Sequence, residues 1–205
     1  NKTIEVAKDK GLKSSMITFS PSPASILAKQ EESLLTTVAE RIEVAQTMGI
    51  DQFIVLKFTK SLSQLNTDDF HNLIIKTLNI RHLVCGDDFR YGFKGSASTE
   101  SLKQVDNLGL SVIYDYKYND IRISSTLIKK EVQEGDLQFA NELLGYPYFI
   151  KGFVKHGRKV GRTIGFPTIN LQYELSKQLI KDGVYVGYTT IKGKNYISTI
   201  NVGHN

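Results

Sequence analysis

The stretch Val154-Lys155-His156-Gly157-Arg158-Lys159-Val160-Gly161-Arg162-Thr163-Ile164-Gly165-Phe166-Pro167-Thr168-Ile169-Asn170 marks where the chain changes character. Glycines at 157, 161 and 165 bare the backbone at four-residue intervals, and Lys155, Arg158, Lys159 and Arg162 sit among them. Backbone N–H groups freed of side chains can close on an anion and form a nest for it. The rigid Phe166-Pro167 pair then delivers a hydroxyl and an amide, Thr168 and Asn170, whose oxygens suit a hard cation such as Mg²⁺. A metal-bound polyphosphate is the ligand this pattern fits. It is not the common phosphate loop, because GxxxxGK[ST] does not occur in the sequence. The plainer alternative is a basic surface hairpin with glycine turns.

Upstream of this run, strands and helices alternate. Lys13 to Phe19 and the nearly continuous apolar run Gln52 to Phe58 read as strands, as do Arg81 to Gly86 and Leu110 to Tyr114. Ile4, Val6 and Ala7 before Gly11 read as a helix. Thr37-x-x-Glu40 is a capping box that opens a helix facing inward through Val38, Ile42 and Ala45 and stopping at Gly49. Thr67-Asp68-Asp69 caps the next helix, with Phe70, Leu73, Ile74 and Leu78 inside, and a further helix bearing Leu102, Val105 and Leu108 ends at Gly109. This rhythm predicts a mostly parallel sheet with helices on its faces.

Ser125 to Leu144 reads as two helices broken at Gly135-Asp136, with Gly145 as the final stop. From Phe149 on, short β-type runs (149–154, 183–191 and 195–202) replace the alternation, and Ile191-Lys192-Gly193-Lys194-Asn195 marks a hairpin. The boundary falls near Tyr146-Pro147-Tyr148. Residues 1–146 form an α/β, Rossmann-like domain, and residues 147–205 form a part of an antiparallel β-barrel.

Composition sets bounds. Hydrophobic residues make up 40% of 205 and charged residues 23%, ordinary for a globular protein with a core. The net charge of +5 suits anionic small molecules but lacks the dense basic face that nucleic acid requires. No apolar run approaches the roughly 18 residues of a membrane span, and no signal peptide is visible. The single cysteine, Cys85, cannot form an internal disulfide and reads as a small buried strand residue; a cytoplasmic setting is expected. His71, His82, His156 and His204 show no metal-ligand or triad spacing.

Three segments follow predicted strands where α/β proteins bind ligands: Thr18-Phe19-Ser20-Pro21-Ser22-Pro23, Gly86-Asp87-Asp88-Phe89-Arg90-Tyr91-Gly92, and Ile123-Ser124-Ser125-Thr126-Leu127-Ile128-Lys129 entering a helix. Hydroxyls and unpaired N–H groups at a helix start attract anions. Taken singly, each has a structural alternative: Ser-Ser-Thr as an N-cap, and Asp-Asp-Phe-Arg-Tyr-Gly as a turn closed by an internal Asp–Arg pair.

The glycine run ending in Phe166-Pro167-Thr168-Ile169-Asn170 resembles the riboflavin kinase signature, and the three upstream segments resemble the FAD synthetase module that precedes it in the bacterial bifunctional enzymes. The resemblance covers nearly the whole chain. It implies ATP-dependent phosphorylation of riboflavin to FMN, then adenylylation of FMN to FAD, with Mg²⁺ required and riboflavin, FMN and ATP as the small-molecule partners. Gly157, Lys159, Gly161, Arg162, Gly165 and Pro167 would cradle the kinase phosphates, and Thr168 and Asn170 would hold the metal. Phe19, Pro21, Asp88, Phe89, Arg90 and Gly92 would line the flavin and nucleotide cleft. Ser124, Ser125, Thr126 and Lys129 would meet the phosphates of the adenylylating ATP.

Departures keep other readings open. Ser20 and Ser22 replace a common Asp and His, and Lys129 replaces an Arg, keeping its charge but losing its planar fork. The resemblance further implies that the adenylyl-transfer motif His-x-Gly-His lies before Asn1 and the kinase glutamate after Asn205, leaving the chain inactive as it stands. A non-catalytic flavin- or nucleotide-binding protein of the same architecture is the alternative, and a nucleotidyltransferase with another phosphorylated substrate is a third.

Overall fold

A computed structural model describes residues 2–27, 33–155 and 168–203. They form two compact units. One holds the residues before Ser33 together with Val38–Arg122, and the other holds Ser33–Thr37 together with the residues from Ile123 on.

The first unit opens with α1 (Lys2–Asp9), β1 (Ser15–Phe19), the short α2 (Pro23–Leu27), α3 (Val38–Thr47) and β2 (Gln52–Leu56). β1 and β2 pair in parallel, Ser15 opposite Gln52 through Phe19 opposite Leu56. Their register is locked just ahead of both strands. The buried Ser14 donates its N–H and its hydroxyl to the Asp51 carboxylate at 2.8 and 2.7 Å, and the Asp51 N–H donates back to the Ser14 hydroxyl at 3.0 Å. A one-residue slip would turn every side chain to the opposite face and break all three bonds. α3 begins directly after Thr37 and ends at Gly49, whose φ of +91° only glycine adopts freely. Ala45 is its buried apolar contact, while Val38 and Ile42 are half-buried.

Next come α4 (Thr67–Asn72), β3 (His82–Gly86), the two-residue strands β4 (Arg90–Tyr91) and β5 (Ala97–Ser98), α5 (Thr99–Leu102) and β6 (Gly109–Ile113). The cap of α4 is Asn66, one residue ahead of the expected Thr67; its side chain accepts from the Asp69 N–H at 2.8 Å. Asn, Thr and Asp are all competent caps, so three in a row leave the choice to packing. The helix runs on as a wider, π-type turn over Leu73–Thr77. α5 is shorter than the apolar spacing predicted: it stops at Leu102, and Gly109 opens β6 instead of ending a helix. Leu102 is fully buried and Leu108 nearly so, with Val105 packed beside them, so turns satisfy the same spacing. β3 and β6 pair in parallel, His82 opposite Gly109 through Gly86 opposite Ile113. The parallel pairing predicted for this half is therefore present, carried by two separate strand pairs. Cys85 lies within β3 but is only half-buried. A small antiparallel pair, β7 (Lys117–Tyr118) with β8 (Ile121–Arg122), closes the unit. Its core gathers Ile74, Tyr91, Ala97, Leu102 and Leu108, with Phe70, Leu83 and Phe89 against them.

The second unit begins with α6 (Ser125–Glu134) and α7 (Leu137–Leu144). The break between them is the expected one. Gly135 takes φ +87° and donates its N–H to the Glu131 and Val132 carbonyls, and Asp136 caps α7 by accepting from the Phe139 N–H at 3.0 Å. Gly145 ends α7 at φ +76°. Ile128, Val132, Ala140 and Leu143 are the buried residues of the helix pair. Four strands follow: β9 (Gly152–Lys155), β10 (Asn170–Tyr173), β11 (Gly183–Ile191) and β12 (Lys194–Val202). β9 pairs antiparallel with β10, and β11 with β12. Lys192 and Gly193, at φ +49° and +76°, form the two-residue turn between the last pair. Among the described residues these two ladders do not close on one another.

Residues 33–37 are tied to this unit by backbone and side chain alike. Leu34 donates its N–H to the Ser176 carbonyl at 2.6 Å and accepts from Gln178 N–H at 2.8 Å. Lys177, only 3% exposed, donates from Nζ to the Leu35 carbonyl at 2.6 Å. The same ammonium lies 4.4 Å from the Tyr148 ring centre and 5.3 Å from that of Phe149, so its charge is met by a carbonyl and two aromatic faces.

Candidate functional site

The turn after β3 is the most elaborately supported segment of the first unit. Gly86 ends the strand where an added Cβ would lie 2.9 Å from Asp88 Oδ1, so the carboxylate folds back over the glycine. Asp88 is exposed and pairs with Arg122, not with Arg90: Arg122 Nη2 stands 3.7 Å from Asp88 Oδ2, while its Nε is 2.8 Å from Asp115 Oδ1. The internal Asp–Arg turn considered for this segment is thus replaced by a longer-range contact. Exposed pairs of this kind add little stability but do orient the carboxylate.

Strand alternation sorts the next residues. In β4, Arg90 is exposed while Tyr91 is 5% exposed and belongs to the core. The Tyr91 ring lies 4.6 Å from Phe70 and stacks on Phe89 at 5.8 Å, and its hydroxyl is 2.8 Å from His71 Nε2. Burial raises the Tyr91 phenol above its ordinary range, a hydrogen bond with Ser101 opposing the shift. Gly92 leaves the strand at φ +75°, with Ser96 Oγ and Thr67 Oγ1 3.0 and 3.4 Å from where a Cβ would be.

Phe89, Arg90 and Gly92 line a cavity of about 1490 Å³ within the first unit, and Phe19 at the end of β1 lines it too. Phe19 is held edge-on against Phe58, ring centres 5.4 Å apart. Thr18, one residue earlier, is buried and accepts from the Arg41 guanidinium of α3. Pro21 lies exposed just beyond the strand, outside that lining. Cys85 shares the lining; burial raises its thiol above the ordinary value, and Asp88 raises it further, which favours the protonated form.

In the second unit, Ser124 is the N-cap of α6, its hydroxyl accepting from the Leu127 N–H at 3.2 Å. The capping role considered for Ser-Ser-Thr therefore falls to Ser124, whose hydroxyl proton can still be donated outward. Ser125 and Thr126 are exposed in the first turn of α6, where N–H groups lack acceptors inside the helix. Lys129 is half-buried one turn on. Thr168 and Asn170 are exposed, Asn170 opening β10 opposite Lys155. Gly157, Lys159, Gly161, Arg162, Gly165 and Pro167 lie outside the described residues. Among the described residues no cluster of His, Cys, Asp or Glu could hold a metal ion.

Three residues escaped sequence reasoning: His71, Phe58 and Arg122. His71 lies on a helical face and Phe58 at the end of an apolar run, but neither pattern marks a functional role. Only the nearness of Arg122 to Ile123-Ser124-Ser125-Thr126 could have drawn attention to it.

The sequence matches the FAD synthetase family over residues 1–127 and the riboflavin kinase family over residues 144–205. Two relatives are both bifunctional riboflavin kinase/FMN adenylyltransferases. That of Listeria monocytogenes is 34% identical and that of Bacillus subtilis 35%, each over 98% of this chain. The chain spans 65% of the length of each. A crystal structure described as a macrolide-efflux protein from Streptococcus pneumoniae superposes with a TM-score of 0.86 at 28% identity, over 98% of this chain and 66% of that one. Efflux belongs to that protein's description; among the described residues here no helix is long and apolar enough to cross a membrane. With a match that takes in more than half its length, followed by a riboflavin kinase match, the chain belongs to the FAD synthetase family.

Proposed function

We propose that the protein containing this chain makes flavin coenzymes: it phosphorylates riboflavin with ATP to give FMN and ADP, and adenylylates FMN with a second ATP to give FAD and pyrophosphate. The observation that carries this is the tandem order of the two family matches along one chain. We place the boundary between the modules at residues 146 and 147, and the work of the protein in the cytoplasm.

In the adenylylating module the Phe89–Gly92 turn and Phe19 are suited to a flat, partly apolar ligand, because they share one cavity lining. Arg90, exposed on the solvent side of β4, offers its guanidinium to phosphate. Asp88, oriented by Arg122, is an acceptor for ligand N–H or O–H groups. Ser125 and Thr126, with the N–H groups of the first turn of α6, fit the phosphates of ATP, and Lys129 adds positive charge. The protein aligns two reactants and neutralises phosphate charge, and little covalent chemistry falls to its side chains.

In the kinase module, Gly157, Lys159, Gly161, Arg162, Gly165 and Pro167 would cradle the phosphates of ATP. Thr168 and Asn170 fit a Mg²⁺ site: both offer neutral hard oxygens, and both are exposed at the entry of β10. A bound Mg²⁺ would supply neutralisation of phosphate charge.

The test is incubation of the full-length protein with riboflavin, ATP and Mg²⁺, followed by chromatographic separation of the flavins. FMN and FAD together are expected. FMN alone would mean an inactive first module, and neither product would favour a non-catalytic binding protein.

A further inference from the structure

We propose that His71 is a positioning residue for FMN adenylylation: by hydrogen bonding to Tyr91 it fixes the Phe89–Gly92 turn in the ligand-ready position. The inference rests on the reading of that turn as part of the flavin and nucleotide site.

One face of a single helical segment supports the whole turn. Thr67, Phe70, His71 and Ile74 recur at the i, i+3, i+4, i+7 spacing of one helical face. Thr67 lies against Gly92, Phe70 against Tyr91 and Phe89, His71 against Tyr91, and Ile74 in the core cluster that includes Tyr91. Asn66 fixes where that face begins by capping the helix. Ring stacking alone holds Tyr91 weakly in its own plane, because tilted and offset aromatic pairs tolerate sliding. The hydrogen bond between Tyr91 Oη and His71 Nε2, at 2.8 Å, joins that with Ser101 in restricting this freedom. Since Tyr91 and Arg90 are neighbours in a two-residue strand and face opposite ways, locking the buried ring also sets the exposed guanidinium. His71 meets the turn through Tyr91, so its influence on a ligand is indirect.

The experiment uses the full-length protein with Tyr91→Phe, His71→Leu, His71→Gln and the double variant Tyr91→Phe/His71→Leu. Tyr91→Phe keeps the ring and its stacking, so the fold is retained while the hydroxyl is lost. Tyr91→Phe and His71→Leu are each expected to raise the KM for FMN in adenylylation about five- to tenfold, the scale of one lost buried hydrogen bond. Their kcat for that step and their riboflavin phosphorylation should stay near wild type. The double variant should be no worse than Tyr91→Phe alone, and His71→Gln, whose amide can donate or accept, should recover most of the affinity lost in His71→Leu. If wild type forms FAD but both single variants keep its KM, the proposal falls while the functional reading stands. Additive losses in the double variant, or equal losses in both activities, would likewise overturn it. If wild type makes FMN but no FAD, the reading of the first module fails and this proposal with it.

Discussion

Gly109 faces His82 across the β3–β6 pair so closely that a Cβ on Gly109 would come 2.3 Å from His82 Nδ1. The imidazole lies over the glycine with Nε2 2.9 Å from the Ser111 hydroxyl. Gly109→Ala should force the ring out of that place and cost about 1–3 kcal/mol of stability, as overpacking of a filled site does. The urea midpoint measures the loss. Removing the obstacle in Gly109→Ala/His82→Ala should recover part of it.

The same histidine makes stability depend on pH. Its Nδ1 is buried without a hydrogen-bond partner among the described residues, and burial, then Lys10 and Lys2, lower its pKa. The unfolded chain, with an ordinary value of about 6.5, takes up the proton first. Stability should thus be full above that value and fall as the pH drops from there toward the folded pKa. Denaturant titrations across about pH 5 to 8 check this, and His82→Gln should flatten the slope.

At the other parallel pair the sign of the group is opposite but the direction is the same. The Ser14 hydroxyl and N–H hold the Asp51 carboxyl below its ordinary value. That contribution is present above about pH 3.9 and is lost as the pH falls through the lower, folded pKa. Ser14→Ala should weaken it and move the midpoint of acid unfolding to higher pH, read by far-UV circular dichroism.

Gly92→Ala tests the turn that follows β4. At φ +75° and ψ 177° the backbone lies in a region essentially reserved for glycine, which costs a side-chain-bearing residue about 1–3 kcal/mol, and the new methyl would crowd Ser96 and Thr67. Thermal melting should show the loss. In the full-length protein, FAD formation should fall while riboflavin phosphorylation holds.

Asn170→Ala probes the other module. Loss of the oxygen proposed to hold Mg²⁺ should reduce FMN formation at least about tenfold, a loss typical even of groups one step removed from a metal. FAD formation from supplied FMN should be nearly unchanged. Equal losses in both assays would remove Asn170 from the kinase role.

What the sequence made legible is what short-range chemistry decides. Gly135-Asp136 stops one helix and starts the next within two residues, and Lys192-Gly193 makes its turn from its own backbone, so both were readable without any knowledge of the fold. Leu102, Val105 and Leu108 misled, because the same apolar spacing serves four helical residues followed by turns. The His71–Tyr91 and Asp88–Arg122 contacts join residues with no pattern between them and are set by tertiary packing alone. Lys177 was invisible for a related reason: a lysine is expected in water, and its partners, among them the Leu35 carbonyl and the rings of Tyr148 and Phe149, are brought to it by tertiary packing.

That lysine also decides how the polypeptide can be taken apart. Because the five residues 33–37 fold with a part of the chain that begins only at Ile123, no single scission separates the two units. A cut before Ile123 would strip the later piece of the backbone carbonyl that receives its interior ammonium. In the sequence the second unit is threaded through the first, and recombination that moved that unit elsewhere would have to carry residues 33–37 along with it.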